Sequence, residues 1–328
     1  MHSHDHELGH RYSEMTSQSI IDSTSAVNLA APPIPVMSPR KLWWAAIKPP
    51  MYSVAVMPIW VGSAIAYAQT GQFKFGVFGL FLLSAILILA WENLSNDVFD
   101  SETGVDVNKF NSVVNITGKK SLIFWISNAC LALGLLGIGT IALAQHDWTV
   151  IQLVLACCVI GYIYQGPPFR LSYKGLGEIL CFFAFGPLAM SASYYSQTQT
   201  YSQINLLASA IIGVITSLIL FCSHFNQVKD DAAIGKRSPV VRLGSERSAK
   251  LLPWICGAVY GAVGLGVMMQ VFPPLVLLSY GSIPVANRLC KLVLNNYDQP
   301  QKLTFCRLVA VKVHFWCGLL FGLGFLLS

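Results

Sequence analysis

The sequence predicts an all-α integral membrane protein of nine transmembrane helices, with its N-terminus in the cytoplasm. Three observations carry that prediction. Of 328 residues, 54% are hydrophobic and only 11% charged, where a soluble domain carries roughly 25% charged residues. Apolar runs of about 20 residues, the length that crosses a hydrocarbon core, recur nine times, near 51–69, 76–96, 121–144, 149–165, 176–196, 204–226, 251–270, 274–291 and 307–327. Finally, with the N-terminus inside, 20 of the 21 Lys and Arg residues fall on the cytoplasmic side or at its edge, Lys74 alone lying outside, as cytoplasmic loops require. The turns near 145–148, 197–203 and 271–273 contain no Lys or Arg. The net charge of +6 then reads as topology and attraction to anionic lipid headgroups, with no nucleic-acid partner.

Along the chain, residues 1–38 are polar and Ser-rich, contain "AAPPIPVMSP" and lack the apolar core of a secretory signal, so they read as a disordered tail ahead of one membrane domain, 39–328. The opening "MHSHDHELGH" holds four histidines, but a solvated tail accounts for them. "RKLWWAAIKPP" then supplies a basic flank and two interfacial tryptophans, and Lys48 leads into the first span. The second span ends in "WENLSNDVFDSETGVDVNKF", with five carboxylates in the fifteen residues from Glu92 to Asp106. "GLLGIGT" in the third span and "GAVYGAVGLG" in the seventh are small-residue stretches that let membrane helices approach closely. The loop "YQGPPFRLSYKGLGE" follows the fourth span, and the sixth ends in "HFNQVKDDAAIGKRSPVVRLG". Nine cysteines, mostly within spans, make no CxxC pair and read as buried small hydrophobes.

The two acidic clusters carry the chemistry. On a helix, Asp97 and Asp100 are three apart and Asn96 and Asp100 four apart, so they share a face, and Gly104 lets the chain turn and return Asp106. Crowded carboxylates at a membrane edge are costly unless compensated. A divalent cation is the natural compensation, and an all-oxygen donor set favours Mg²⁺ over zinc. In the second cluster Lys229, Asp230 and Asp231 precede Lys236 and Arg237, which suits a metal-bound anion such as a diphosphate. Arg170, Lys174, Tyr164 and Tyr173 come from a third loop on the same side. Asn96 and Asp100 close the second span as Gln227 and Asp231 close the sixth, which suggests two halves facing one central cavity.

These motifs resemble the UbiA superfamily of intramembrane aromatic prenyltransferases. "NDVFDSETGVD" resembles that family's first Asp-rich motif, NDxxDxxxD in most branches. Its gapped form here (Asn96, Asp97, Asp100, Gly104, Asp106) looks like the branch that prenylates 1,4-dihydroxy-2-naphthoate in menaquinone and phylloquinone synthesis. "YKGLGE" and "GKRSPVVRLG" resemble the same branch, and the likeness runs from about residue 40 to the end. "NQVKDD" with "SETGVDVNK" looks like the cyanobacterial and plastid form, whose donor is phytyl diphosphate. The family's second motif is usually DxxxD. Here Gln227 stands at its first Asp and Asp231 at its second, with Asp230 the alternative by register.

The resemblance implies a Mg²⁺-dependent prenyltransferase of nine helices around a cavity, in a bacterial inner or thylakoid-type membrane, with its active site on the cytoplasmic face. Asn96, Asp97, Asp100 and Asp106 with Asp230 and Asp231 would hold the metal. Lys48, Arg170, Lys174, Lys236, Tyr164, Tyr173 and Gln227 would contact the prenyl diphosphate. An allylic cation attacked by the naphthoate ring, with loss of CO₂, would complete the reaction. Phytyl and longer polyprenyl donors stay open. Acceptors such as homogentisate, chlorophyllide or 4-hydroxybenzoate are the nearest alternative. A cation transporter would place acids deep in spans or on both faces, whereas these gather on one.

Overall fold

The computed structural model describes residues 43–44, 47–103 and 112–328, and within them all regular structure is helical. Each of the nine apolar runs forms a helix. They are α1 (Ser53–Thr70), α2 (Phe75–Thr103), α3 (Lys120–Gln145), α4 (Thr149–Gln165), α5 (Gly177–Thr198), α6 (Gln203–Ala233), α7 (Ser245–Met268), α8 (Ile283–Leu294) and α9 (Cys306–Leu326). Among the described residues seven, all but α4 and α8, are long and apolar enough to cross a membrane, once the 3₁₀ turns leading into α1 and α9 are included. α4 is apolar but has 17 residues. The eighth run divides into a 3₁₀ stretch, Pro274–Ser282, and the 12-residue α8. Pro273 and Pro274 bring no N–H to its first turn, and Pro284 none to the start of α8.

α2 and α6 set the position of everything that follows. They have 29 and 31 residues, well beyond the roughly 20 that a bilayer needs, so their last turns carry the acidic motifs past the apolar body. α6 starts at a fixed point, because the Ser202 side chain accepts the Asn205 N–H at 3.2 Å, a standard N-cap. α2 lies along α3, where the Ser95 and Ser127 hydroxyls bond at 3.1 Å. α1 is held by α5 and α9, through a Ser63–Ser193 hydroxyl pair at 3.2 Å and a bond from Trp60 Nε1 to the Leu319 carbonyl at 3.2 Å. In the absence of a hydrophobic driving force between helices, such polar contacts and close packing hold membrane bundles together.

α5 is not a regular helix. A single π turn at Ala184–Leu188 contains Pro187, and a π turn is one way a helix resets its hydrogen-bond ladder. There α5 crosses α6 at closest range: a Cβ on Gly213 would stand 2.9 Å from the Phe182 carbonyl oxygen, so only glycine fits. The displaced Ala184 and Phe185 face an internal cavity. On the outer surface, large apolar groups such as Trp254 and Phe75, each 78% exposed, present the greasy face a bilayer solvates.

Candidate active site

The last turns of α2 and α6, the loop between α4 and α5, and the starts of α1 and α9 all lie at one end of that cavity. Its body is apolar, lined by Val54, Phe81, Leu89, Ile138, Val154 and Ile219. Lys48, Asn96, Asp97, Asp100, Gln165, Gln227, Lys236 and Arg307 line the end where these chain segments meet. A long apolar pocket with a charged mouth fits an amphiphile with an anionic head.

The first motif is held as follows. Asp97 is 1% exposed, with Oδ1 3.3 Å from Lys48 Nζ and Oδ2 accepting the Val113 backbone N–H at 2.9 Å. Val113 opens the short helix Val113–Thr117, so Asp97 ties the chain beyond α2 back to the mouth. Asp100 accepts from the Gln165 side-chain amide and from the Tyr173 hydroxyl at 3.2 Å. Burial, above all, pushes the Tyr173 phenol up to about 12, so it keeps its proton at neutral pH. Lys48 and Arg170 both sit in the left-handed backbone region, at φ 54° and 42°, uncommon for residues with a side chain and a form of strain that clusters at functional sites.

In the second motif Asp231 is also 1% exposed. Its Oδ1 lies 3.2 Å from Lys236 Nζ and its Oδ2 2.8 Å from His224 Nδ1. The other ring nitrogen of His224 lies 3.3 Å from Glu178 Oε1 on α5, so the imidazole is clamped between two carboxylates. The two motifs converge on Tyr173. Lys236 Nζ stands over its ring, 5.7 Å from the centroid, and the Arg237 N–H donates to its carbonyl at 2.8 Å. Gly175, at φ +82°, permits this docking, because any Cβ there would collide with the Arg237 carbonyl oxygen. Asp100, Tyr173, Lys236 and Asp231 thus form one connected chain across the mouth.

Of the residues singled out in the sequence, Lys48, Asn96, Asp97, Asp100, Tyr164, Gln227 and Lys236 line the cavity or its mouth, and Tyr173 and Asp231 bond to residues that do. Asp230 and Lys174 are exposed and do not line it. Arg170 pairs with Glu102 at 3.5 Å, and Lys120 reaches the same carboxylate at 2.7 Å. Asp106 and the tail 1–38 lie outside the described residues. Sequence reasoning passed over Gln165, Glu178 and Arg307. Arg307, at the start of the last span, was absorbed into the topological charge count, yet it lines the mouth.

Among the described residues no three His, Cys, Asp or Glu side chains converge as a metal cage. Mg²⁺ does not require one, since it is usually held by one or two carboxylates together with substrate phosphates and waters. Asp97 and Asp100 with Asn96 on one side, and Asp231 on the other, give an all-oxygen donor set at a mouth whose lysines can turn to phosphate. The residues present fit a Mg²⁺–diphosphate pair.

Comparison with known proteins agrees with this geometry. The model of the UbiA prenyltransferase family matches residues 55–326. The chain is 51% identical to the 2-carboxy-1,4-naphthoquinone phytyltransferase of Synechocystis sp. over 87% of its own length and 93% of the relative's. It is 40% identical to the chloroplastic 2-carboxy-1,4-naphthoquinone phytyltransferase of Arabidopsis thaliana, covering 88% and 78% of the two chains. Among solved structures, a UbiA homologue from Archaeoglobus fulgidus bound to DMAPP and Mg²⁺ superposes with a TM-score of 0.56 at 15% identity, over 85% of this chain and 98% of the other; at that identity the likeness speaks for the fold.

Proposed function

The chain belongs to the UbiA prenyltransferase family, and from that premise we propose that it transfers a phytyl group from its diphosphate to 1,4-dihydroxy-2-naphthoate in quinone synthesis. It is an integral membrane enzyme of prenyl transfer to a naphthoate acceptor. The phytyl donor, the use of Mg²⁺, nine crossings with α4 and α8 included, a tail 1–38 outside one catalytic domain, and a cytoplasmic active site are the finer parts of this reading. One observation supports it most: the connected chain of Asp100, Tyr173, Lys236 and Asp231 across the mouth of an apolar cavity.

Asn96, Asp97, Asp100 and Asp231 would hold Mg²⁺, with Asp106 completing the first motif. Bound there, the metal supplies positive charge where the diphosphate becomes a leaving group. Lys48, Lys236 and Arg307 neutralise the remaining phosphate oxygens, because charge on them grows as the allylic C–O bond breaks. The Tyr173 hydroxyl, fixed by Asp100, borders the same group. Arg170 joins only by leaving Glu102. The apolar wall keeps water from the allylic cation, and Trp91 and Phe81 in that wall supply aromatic rings that can stabilise it. The naphthoate ring carbon bearing the carboxyl group attacks the cation. The C–CO₂ bond then breaks, its electron pair restores aromaticity, and diphosphate, CO₂ and the prenylated naphthoquinol leave with no net proton change.

Purified full-length protein in detergent, given 1,4-dihydroxy-2-naphthoate with phytyl or longer polyprenyl diphosphates, tests this directly. A prenylated naphthoquinol that forms with Mg²⁺, is lost with EDTA and is fastest with the phytyl donor is the expected result. Prenylation of a different aromatic alone would overturn the acceptor, and activity undiminished by EDTA would overturn the metal.

A further inference from the structure

Below the charged mouth, the cavity contains a carboxylate that the reaction scheme does not use. Glu92 falls on the same face of α2 as Asn96 and Asp100, at four- and eight-residue spacing. It therefore lies about 6 Å deeper than Asn96 and about 12 Å deeper than Asp100. It lines the cavity together with Cys157, Gly161, Tyr164 and Cys181. A Cβ on Gly161 would be 3.8 Å from its carboxyl carbon, which places the head group at the α4 wall. Among the described residues no hydrogen bond or ion pair reaches Glu92. Its neighbour Asn93 lines the same cavity, and the side-chain Nδ2 is buried without a partner.

Unpartnered polar groups at membrane depth are costly and mark ligand sites. The donor cannot be the ligand that Glu92 awaits: a prenyl chain has no hydrogen to donate, and a diphosphate would be repelled. A metal is equally unsuited, since among the described residues no group of His, Cys, Asp or Glu side chains gathers there to hold one. The second substrate remains. Its attacking carbon must come within about 3.5 Å of the allylic carbon, which is bonded to the diphosphate at the level of Asp97 and Asp100. Glu92 lies about 7 to 12 Å inward of that level, a span that the approach distance, the hydroxylated ring and a hydrogen bond cover together when the hydroxyl two carbons from the attacking carbon is turned toward Glu92.

We propose that Glu92 is the acceptor-binding residue, receiving a hydrogen bond from a ring hydroxyl of the hydroxylated naphthoate and so fixing which ring carbon faces the allylic cation. The bond also pushes electron density from that oxygen into the ring, with no proton leaving. This rests on the prenyl-transfer reading above and names the contact that selects a hydroxylated aromatic.

The test uses full-length protein and the variants Glu92→Gln and Glu92→Asp, with rates measured against 1,4-dihydroxy-2-naphthoate and phytyl diphosphate in turn. Glu92→Gln should lower kcat/KM for the acceptor at least about tenfold, the loss usual for a hydrogen bond to a charged group. The KM for phytyl diphosphate should stay within about twofold, and Glu92→Asp should recover part of the loss. Inhibition by 2-naphthoate, which lacks both hydroxyls, should be equal in parent and variant, because the bond removed is one it never makes. An acceptor kcat/KM within about threefold of the parent overturns the proposal, as does a donor KM that rises in parallel. Should Glu92→Gln not fold, an acceptor kcat/KM for Glu92→Asp indistinguishable from the parent's overturns it. If the parent prenylates only another hydroxylated aromatic, the naphthoate assignment fails and the same comparison, run on that ring, decides the role of Glu92.

Discussion

The last turns of α2 and α6 hold Asn96 with Asp100 and Gln227 with Asp231 at the same spacing, yet the partners of the two aspartates differ in kind. Asp100 accepts from two neutral groups of the α4–α5 region, the Gln165 amide and the Tyr173 hydroxyl. Asp231 is bonded by Lys236 and by His224, which Glu178 holds from the other side. Neutral donors can keep their bonds when a cation arrives, whereas Lys236 must move aside. On the proposed reading the two aspartates would then serve the metal differently: Asp100 with its neutral donors in place, and Asp231 only as Lys236 turns to phosphate.

The largest effect that sharpens this contrast is on Asp100. Asp100→Asn retains size and can still bond to Gln165 and Tyr173, so membrane insertion should be unchanged. Its kcat/KM should fall at least about 10³-fold, at the upper end of what removing one charge-stabilising group costs. Steady-state rates at saturating Mg²⁺ measure it, and a loss below tenfold would remove Asp100 from the proposed metal site.

Next comes the clamp. Glu178→Gln leaves His224 and Asp231 in place but removes the charge that steadies the imidazole. Residues that orient a ligand typically cost 10- to 100-fold in metal affinity or activity when changed, so a loss of about tenfold is expected, with a higher Mg²⁺ concentration needed for half-maximal rate. A defect as deep as that of Asp100→Asn would erase the distinction between the ends. Arg307→Met should act on the donor alone, raising the KM for phytyl diphosphate about tenfold, as initial rates at varied donor will report; an unchanged value would take Arg307 out of the mouth.

What the sequence made legible follows the same division. All nine apolar runs are helices, because hydrophobicity sustained over a bilayer's width leaves few alternatives. The α2 motif was legible because its residues are local, three and four apart on one helix. The rest was hidden because it is assembled across the chain. Gln165 reaches Asp100 from 65 residues away, and Glu178 reaches His224 from the preceding span. A lone Arg at a span's edge, such as Arg307, has the same sequence signature whether it serves topology or substrate. The eighth run's 3₁₀ stretch was equally invisible, since hydropathy counts a 3₁₀ turn and an α turn alike.

The smallest expected effect tests the register of the second motif, which the sequence left open between Asp230 and Asp231. The two are neighbours, about 100° apart around α6, so one helix face cannot serve both. Asp231 is 1% exposed and paired to Lys236 and His224, while Asp230 is exposed and off the cavity wall. An exposed charge at a helix end is screened by water and salt. Asp230→Asn should therefore leave kcat/KM within about twofold, where Asp231→Asn costs on the order of a hundredfold. The ratio of the two in one assay is more telling than either value, because expression and insertion affect both variants alike. Equal losses would mean that the last turn of α6 rotates to present Asp230 when substrate binds, and the charged clamp would then belong to the resting enzyme only.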